Sequence, residues 1–147
     1  MRSFGALAAG ALIVLAASLA GGGPGRAASQ PSVLVHFRTP SHNIGCAITL
    51  PAPSYPASLR CDILSGLRPE PKRRCELDWT GYFLPSTGAA RPVCAGDTIY
   101  DQRARILRYG ETWRRGAYVC RSRRTGLHCT NRGGRGFVLS RARSFAF

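Results

Sequence analysis

Residues 44–48 read IGCAI and residues 59–63 read LRCDI. In each stretch the central residue is a cysteine, and both positions two residues away are aliphatic. This is the period-two pattern of a strand that buries one face. Both cysteines are therefore expected to point into the core, and we predict a disulfide between Cys46 and Cys61. Arg60 and Asp62 are expected on the opposite face of their strand.

The same alternation continues on either side of this pair. Val33, Val35 and Phe37 share one face of a predicted preceding strand, and the TPSHN segment after it predicts a turn. Prolines between the two cysteine stretches mark a loop. The RPEPKRR segment of residues 68–74 is proline-rich and charged, and it predicts a solvated linker between two halves of the chain.

A hairpin is predicted in the last third of the chain, from residues 118–123 and 127–131. With Arg124-Thr125 as the loop, its two cysteines lie directly opposite; with Thr125-Gly126 they are diagonal neighbours on one face. Either register predicts a Cys120–Cys129 disulfide.

Two further strands are predicted around this hairpin, over residues 105–109 and 137–141. Unbroken alternation beyond the second would place Phe145 and Phe147 on the same face as Leu139.

The two remaining cysteines, Cys75 and Cys94, are paired by proximity, which makes the pairing sequential among fifteen possible connectivities. Prolines and turn residues punctuate the chain, and no long 3.6-residue period occurs after the first 27 residues. The expected fold is all-β, a small disulfide-stapled sandwich or barrel.

The chain opens with the pattern of an export signal. Residues 6–20 are apolar apart from one serine, and a glycine-proline breaker follows them. We predict a signal peptide over residues 1–27, cleaved after Ala27 or alternatively after Ala20, and a single domain over residues 28–147. An exported protein, secreted or periplasmic, is consistent with six cysteines that form disulfides.

An ordered set of motifs resembles a family of small exported bacterial proteins that carries only a domain-of-unknown-function label. The motifs are FRTPSHNIGCAI (37–48), LRCDI (59–63), CELDW (75–79), CAGDT (94–98), LRYGETW (107–113), GLHCTN (126–131) and GRGFVLSR (134–141). The resemblance implies export, disulfides and a β-rich domain. It supplies no activity and no site residues.

Positive charge is concentrated toward the end of the chain. From Arg103 onward there are twelve arginines and one acidic residue, Glu111, in a protein of formal net charge +14. This asymmetry predicts a monomeric binding module that engages an anionic envelope polymer or a lipid headgroup, with nucleic acid as a further polyanion. The predicted contacts are Arg121, Arg123, Arg124, Arg132 and Arg135.

Two alternatives to a polyanion-binding module remain at this point: an interaction or inhibitor module with an acidic protein partner, and an envelope-polymer hydrolase. A GC-rich coding sequence would also enrich arginine on any solvent-exposed face, without a binding role.

Catalytic and metal-binding patterns are absent from the sequence. His36, His42 and His128 have neither Cys-x-x-Cys nor His-x-x-x-His spacing, and no Gly-x-Ser-x-Gly elbow occurs. The few carboxylates are expected to pair with arginines. We therefore predict no catalytic residues, no metal and no cofactor, and favour a protein that is not an enzyme.

Overall fold

A computed structural model describes residues 34–53 and 56–147. These residues form eleven β-strands and no helix. None of the residues described forms a helix long and apolar enough to cross a membrane. The predicted signal peptide, residues 1–27, and Val33 lie outside the described residues.

The first sheet has six strands in the order β5-β4-β3-β2-β1-β6. They are β1 (Leu34–Arg38), β2 (Ile44–Thr49), β3 (Ser58–Ile63), β4 (Asp78–Pro85), β5 (Arg91–Ala95) and β6 (Arg105–Ile106). Neighbouring strands are antiparallel, except that the two-residue β6 runs parallel to β1. The predicted strand over residues 105–109 is thus shortened to its first two residues.

The second sheet is an antiparallel meander in the order β11-β10-β9-β8-β7. Its strands are β7 (Thr112–Arg115), β8 (Tyr118–Arg123), β9 (Gly126–Thr130), β10 (Gly136–Leu139) and β11 (Phe145–Ala146). In β8, buried and exposed residues alternate as expected for a strand with one face on the core.

The two sheets pack face to face around one apolar core. Phe37 of β1 contacts Trp113 of β7 with ring centroids 4.6 Å apart, and Tyr82 of β4 stacks on Phe137 of β10 at 5.5 Å. The prediction of an all-β fold is confirmed, and the architecture is a sandwich.

Disulfides tie neighbouring strands inside this core. Cys46 lies directly opposite Cys61, and Cys120 directly opposite Cys129, each pair with its Cα atoms 4.1 Å apart. Since Arg123 pairs with Gly126, the hairpin loop is Arg124-Thr125, which is the first of the two predicted registers. All four cysteines are fully buried.

The third disulfide joins Cys75 to Cys94 nearer the surface, with the Cα atoms 5.7 Å apart and Cys94 exposed. All three bridges therefore have the partners that the sequence predicts.

The prediction of a linker between halves is wrong. Residues 68–74 connect β3 to β4, which are adjacent strands of one sheet. The loop is also held by the second sheet, since the Ser144 amide donates a hydrogen bond of 2.6 Å to the Arg68 carbonyl. Proline and charge mark an exposed loop equally well whether it joins two halves or two neighbouring strands.

The predicted last strand, residues 137–141, ends at Leu139, and its alternation does not continue into the last residues. Leu139 is buried in the core, whereas Phe145 and Phe147 are exposed. The cause is a turn at residues 140–144, in which Ser140 Oγ accepts from the Arg143 amide and donates to the Arg143 carbonyl. The chain reverses there, and the alternation starts again in β11.

Candidate functional site

A recess of about 350 Å³ opens where the two sheets meet at one end of the sandwich. Its walls come from Tyr109 and from three turns that are distant in sequence: residues 39–44 between β1 and β2, residues 123–127 around the β8–β9 loop, and residues 140–142 after β10. Turns at the edge of a rigid sandwich are common positions for binding residues.

Three arginines border this recess. Arg123 ends β8, Arg124 is in the tight loop that follows, and Arg141 comes from the turn after β10. In the described part of the chain, none of the three has a carboxylate within ion-pair distance. Their charges are therefore available to an anion.

An aromatic side chain positions one of these cations. The Arg124 guanidinium lies 5.2 Å from the ring centroid of Tyr109, which also lines the recess. At this distance the electron-rich ring face attracts the cation. Tyr109 therefore holds the positive charge of Arg124 at the wall of the recess.

Hydroxyl groups line the wall on the side of the β1–β2 turn. Thr39 Oγ1 and Ser41 Oγ are 3.1 Å apart, and the Asn43 amide donates a 3.4 Å hydrogen bond to Ser41 Oγ. The turn includes His42 with a φ of 56°, in the left-handed region. The buried Thr39 hydroxyl donates to the Ile44 carbonyl at 3.4 Å, so the exposed Ser41 hydroxyl is the one that can turn to donate to an anionic oxygen.

The structure brings together only part of the predicted arginine surface. Arg121 and Arg123 are exposed on the outer face of β8, next to Arg124 in the loop. Arg132 and Arg135 lie in the β9–β10 turn, at the opposite end of the sheet and about 17 Å along the strand direction from Arg123.

Sequence reasoning did not select Arg141, which borders the recess. Its position depends on the turn at residues 140–144, whereas the sequence placed Arg141 at the end of a predicted strand over residues 137–141.

His128 lies on the outer face of the second sheet, directly opposite Arg121. Burial of the ring lowers the pKa of His128, and the positive charges of Arg123 and Arg121 lower it further. The ring stacks on Phe147, with centroids 5.0 Å apart and planes 12° from parallel.

His42 accepts a 2.8 Å hydrogen bond at Nδ1 from Arg38 Nη1, because a guanidinium group can only donate. Within residues 34–53 and 56–147, no group of three or more metal-binding side chains is found.

Most of the acidic residues cluster near the first sheet. A second recess of about 410 Å³ is bordered by the four carboxylates of Asp62, Glu70, Asp78 and Asp97.

Asp62 is buried on the outer face of β3 and accepts two hydrogen bonds from Arg60, at 2.9 and 3.0 Å, and one of 3.1 Å from the Ile99 amide. Burial alone lowers the pKa of Arg60, but hydrogen bonds and charge from Asp62 and Asp97 outweigh burial and raise it. This network holds the β5–β6 segment over the sheet.

Arginine pairing accounts for two of the carboxylates that could otherwise serve in acid–base chemistry. Glu76 pairs with Arg74 at 2.7 Å, and Asp97 pairs with Arg60 at 3.1 Å. These pairings agree with the expectation that the scarce acids bind arginines.

No curated protein and no solved structure matches this chain significantly. One family model matches, over residues 13–147, and it describes a family of unknown function, DUF6636. The match includes both sheets, all six cysteines and the arginines of the recess. The chain belongs to the DUF6636 family.

Proposed function

We propose that this protein is a binding module that holds an anionic group of a cell-envelope component in the recess between Arg123, Arg124 and Arg141. The observation that carries the proposal is that three arginines, two from the end of the β8–β9 hairpin and one from the turn after β10, line one recess and have no carboxylate partner among the described residues.

Guanidinium chemistry suits this role. Arginine forms paired, charge-assisted hydrogen bonds to phosphate and carboxylate oxygens. The recess is the right size for one substituent of a polymer or one headgroup, since ligand pockets begin at roughly 300 Å³. The exposed Ser41 hydroxyl supplies a neutral donor to the same anion.

The charge of the whole second sheet also favours an anion in the recess. Residues 112–147, which contain the whole second sheet, include nine arginines and no aspartate or glutamate. No acidic side chain of this sheet therefore competes for the recess, and the summed positive potential would steer a polyanion toward it.

Export is part of the proposal. The three disulfides use all six cysteines and leave none free. Disulfides persist in oxidising compartments, so a cell-envelope ligand is available where this protein would be folded and active.

Retention on a polyphosphate resin during a salt gradient tests the proposal. A triple variant, Arg123→Gln, Arg124→Gln and Arg141→Gln, should lose about tenfold or more in affinity, since each charged hydrogen bond contributes roughly 1.5 to 3 kcal/mol.

The matched control is Arg114→Gln, Arg132→Gln and Arg135→Gln, which removes the same charge from outside the recess. Equal losses in both triples would show that binding follows total charge and would contradict the recess.

A further inference from the structure

A second surface lies at the edge of the second sheet, and we call it the Phe edge: Phe145, Phe147, His128 and Arg143. Val138 of β10 pairs with both His128 and Phe145, so these side chains share the outer face of the sheet. Phe145, in the edge strand β11, is 40% exposed, and Phe147, directly after that strand, is 37% exposed.

The exposed rings are held in fixed positions. Phe147 exchanges two backbone hydrogen bonds of 2.9 Å with Gly136, and a Cβ at Gly136 would lie 3.0 Å from the Phe147 ring. The ring stacks on His128, as described above, and covers this glycine. The guanidinium of Arg143 lies 5.3 Å from the centroid of the Phe145 ring, and the tilted Phe147 ring lies 6.3 Å from it.

The charged side chains around the Phe edge are all positive. Arg143 lies over Phe145, Arg121 is opposite His128 in the sheet, and Arg141 of the recess is two residues from Arg143 in the same turn. Exposed aromatic carbon beside several arginines is the composition of a surface that binds anionic membranes: the apolar groups enter the interface and the cations meet lipid phosphates.

We infer that the Phe edge docks on the surface of an anionic lipid bilayer, with Phe145 entering the interfacial region and Arg143 and Arg121 at the level of the phosphates. This inference rests on the proposed function. It identifies the anion as the phosphate of an anionic lipid headgroup. The recess and the Phe edge are continuous through the turn at residues 140–144, so one membrane can engage both.

Two other occupants fit the geometry less well. Stacked nucleobases need free ring faces in one common plane, but Arg143 and His128 already cover one face of each ring, and the rings are 52° apart. A second copy of the chain would bring two arginine-rich faces together, which like charge opposes.

Flotation with vesicles at low ionic strength tests the inference, with phosphatidylcholine alone compared with a mixture containing phosphatidylglycerol. Wild type should float only with the anionic mixture. Phe145→Ala should lower the partition coefficient about tenfold, the effect expected for losing most of one inserted aromatic side chain. The matched control is Leu64→Ala, which removes a side chain that is 57% exposed after β3 in the first sheet and should leave flotation unchanged.

A fluorescent variant gives a second readout. The emission of Phe145→Trp should shift to shorter wavelength when anionic vesicles are added, because the indole leaves water. Leu64→Trp should show no shift.

Three results would overturn the inference. Phe145→Ala could float like wild type, which would show that the edge does not enter the bilayer. It could instead lose polyphosphate retention to the same extent as vesicle binding, which would mean a general defect. Finally, tighter binding of a single-stranded oligonucleotide that depends on Phe145 would assign the edge to base stacking. In all three cases the recess triple variant still tests the proposed function separately.

Discussion

Asn131 connects two turns that are distant in the chain. Its Nδ2 donates to the carbonyls of Pro85 and Gly88, at 3.0 and 2.8 Å, and its Oδ1 accepts from the amides of Gly133 and Arg135, at 3.0 and 3.1 Å. One buried amide therefore satisfies four backbone groups and joins the β4–β5 turn of the first sheet to the β9–β10 turn of the second.

Replacing Asn131 should destabilise the protein strongly. Asn131→Ala leaves four backbone groups without their partner, and we expect a loss of about 3 kcal/mol in the free energy of unfolding, measured by urea denaturation. Asn131→Asp should be at least as harmful, because a carboxylate would face the two carbonyl oxygens.

The control is Asn43→Ala, at a buried asparagine whose side chain donates one 3.1 Å hydrogen bond, to Ser65. It should cost about 1 kcal/mol. A neutral Asn131→Asp would show that the carbonyls of Pro85 and Gly88 do not depend on a side-chain donor.

Tyr118 differs from Asn131 because its buried polar group is unpaired. Its side chain is 1% exposed, and its hydroxyl has no hydrogen-bond partner among the described residues. Burial raises the pKa of Tyr118 from 10.0 to about 12, since the low-dielectric core disfavours the phenolate.

Alkaline pH should therefore destabilise the wild type through this residue. The unfolded chain loses the Tyr118 proton near pH 10 and the folded protein near pH 12, so stability falls between these values, by up to about 2 to 3 kcal/mol. Tyr118→Phe should remove this part of the loss and be neutral or stabilising at pH 7, because it deletes an unpaired hydroxyl.

Unfolding of both proteins by urea at pH 7 and pH 11 measures the difference. Tyr109→Phe, at an exposed tyrosine, is the control and should keep the wild-type pH dependence. A clear loss of stability at pH 7 in Tyr118→Phe would indicate that the hydroxyl has a partner.

At the scale of elements, alternation predicts the strands whose outer faces are polar. β3 and β8 follow this rule, and their cysteine partners could be derived from it. β2 could be predicted on one face only, because its outer residues Gly45 and Ala47 are also buried. Gly45 is covered by Tyr100, since a Cβ at residue 45 would lie 2.6 Å from Tyr100 Cδ2. Small residues give no periodic signal that a second layer covers them.

The candidate recess could be predicted only in part, for a related reason. Arg123 and Arg124 belong to a hairpin whose geometry follows from local pairing. Arg141 and Ser41 reach the same place through the packing of two sheets, which no spacing in the chain records. The β1–β6 pairing is also outside local reasoning, because its paired residues, such as Arg38 and Ile106, are far apart in the chain. The Arg38 side chain also donates from Nε to the Ala104 carbonyl, 66 residues away.

The inner and outer disulfides should contribute differently to stability. Cys46–Cys61 and Cys75–Cys94 close loops of similar sequence separation, 15 and 19 residues, so their effects on the unfolded chain should be alike, about 3 kcal/mol each. Cys46→Ala/Cys61→Ala should cost about 1 to 2 kcal/mol more than Cys75→Ala/Cys94→Ala, because it also leaves a cavity in the core.

Urea unfolding without reductant compares the two double variants. Peptide mapping after brief mild reduction gives an independent check, since the exposed Cys94 should react before the buried cysteines. Equal costs would mean that the core closes around the missing sulfurs.

At the scale of the whole molecule, the two sheets carry different charge. Six of the seven acidic residues precede residue 102, whereas nine arginines lie after residue 111. The first sheet therefore has local ion pairs such as Arg60–Asp62, and the second has repulsion among exposed cations. Ion pairs weaken in salt, while repulsion is relieved by it.

Repulsion should dominate the response of stability to salt. Raising sodium chloride from low to moderate concentration should raise the thermal midpoint by about 2 to 5 °C, as measured by differential scanning fluorimetry. The triple variant Arg114→Gln, Arg132→Gln and Arg135→Gln should respond less. A midpoint that falls with salt would show that the ion pairs of the first sheet outweigh the repulsion in the second.

The position of β1 has a mechanical consequence. β1 lies between an antiparallel neighbour and a parallel one, so a pull along its axis loads both ladders in shear and no ladder opens one bond at a time. If those ladders break, Cys46–Cys61 prevents the chain between the two cysteines from extending. A stretched molecule should therefore unfold only at high force and gain little length. Force measurements before and after reduction of the disulfides would separate the resistance of the strand pairing from that of the bridges.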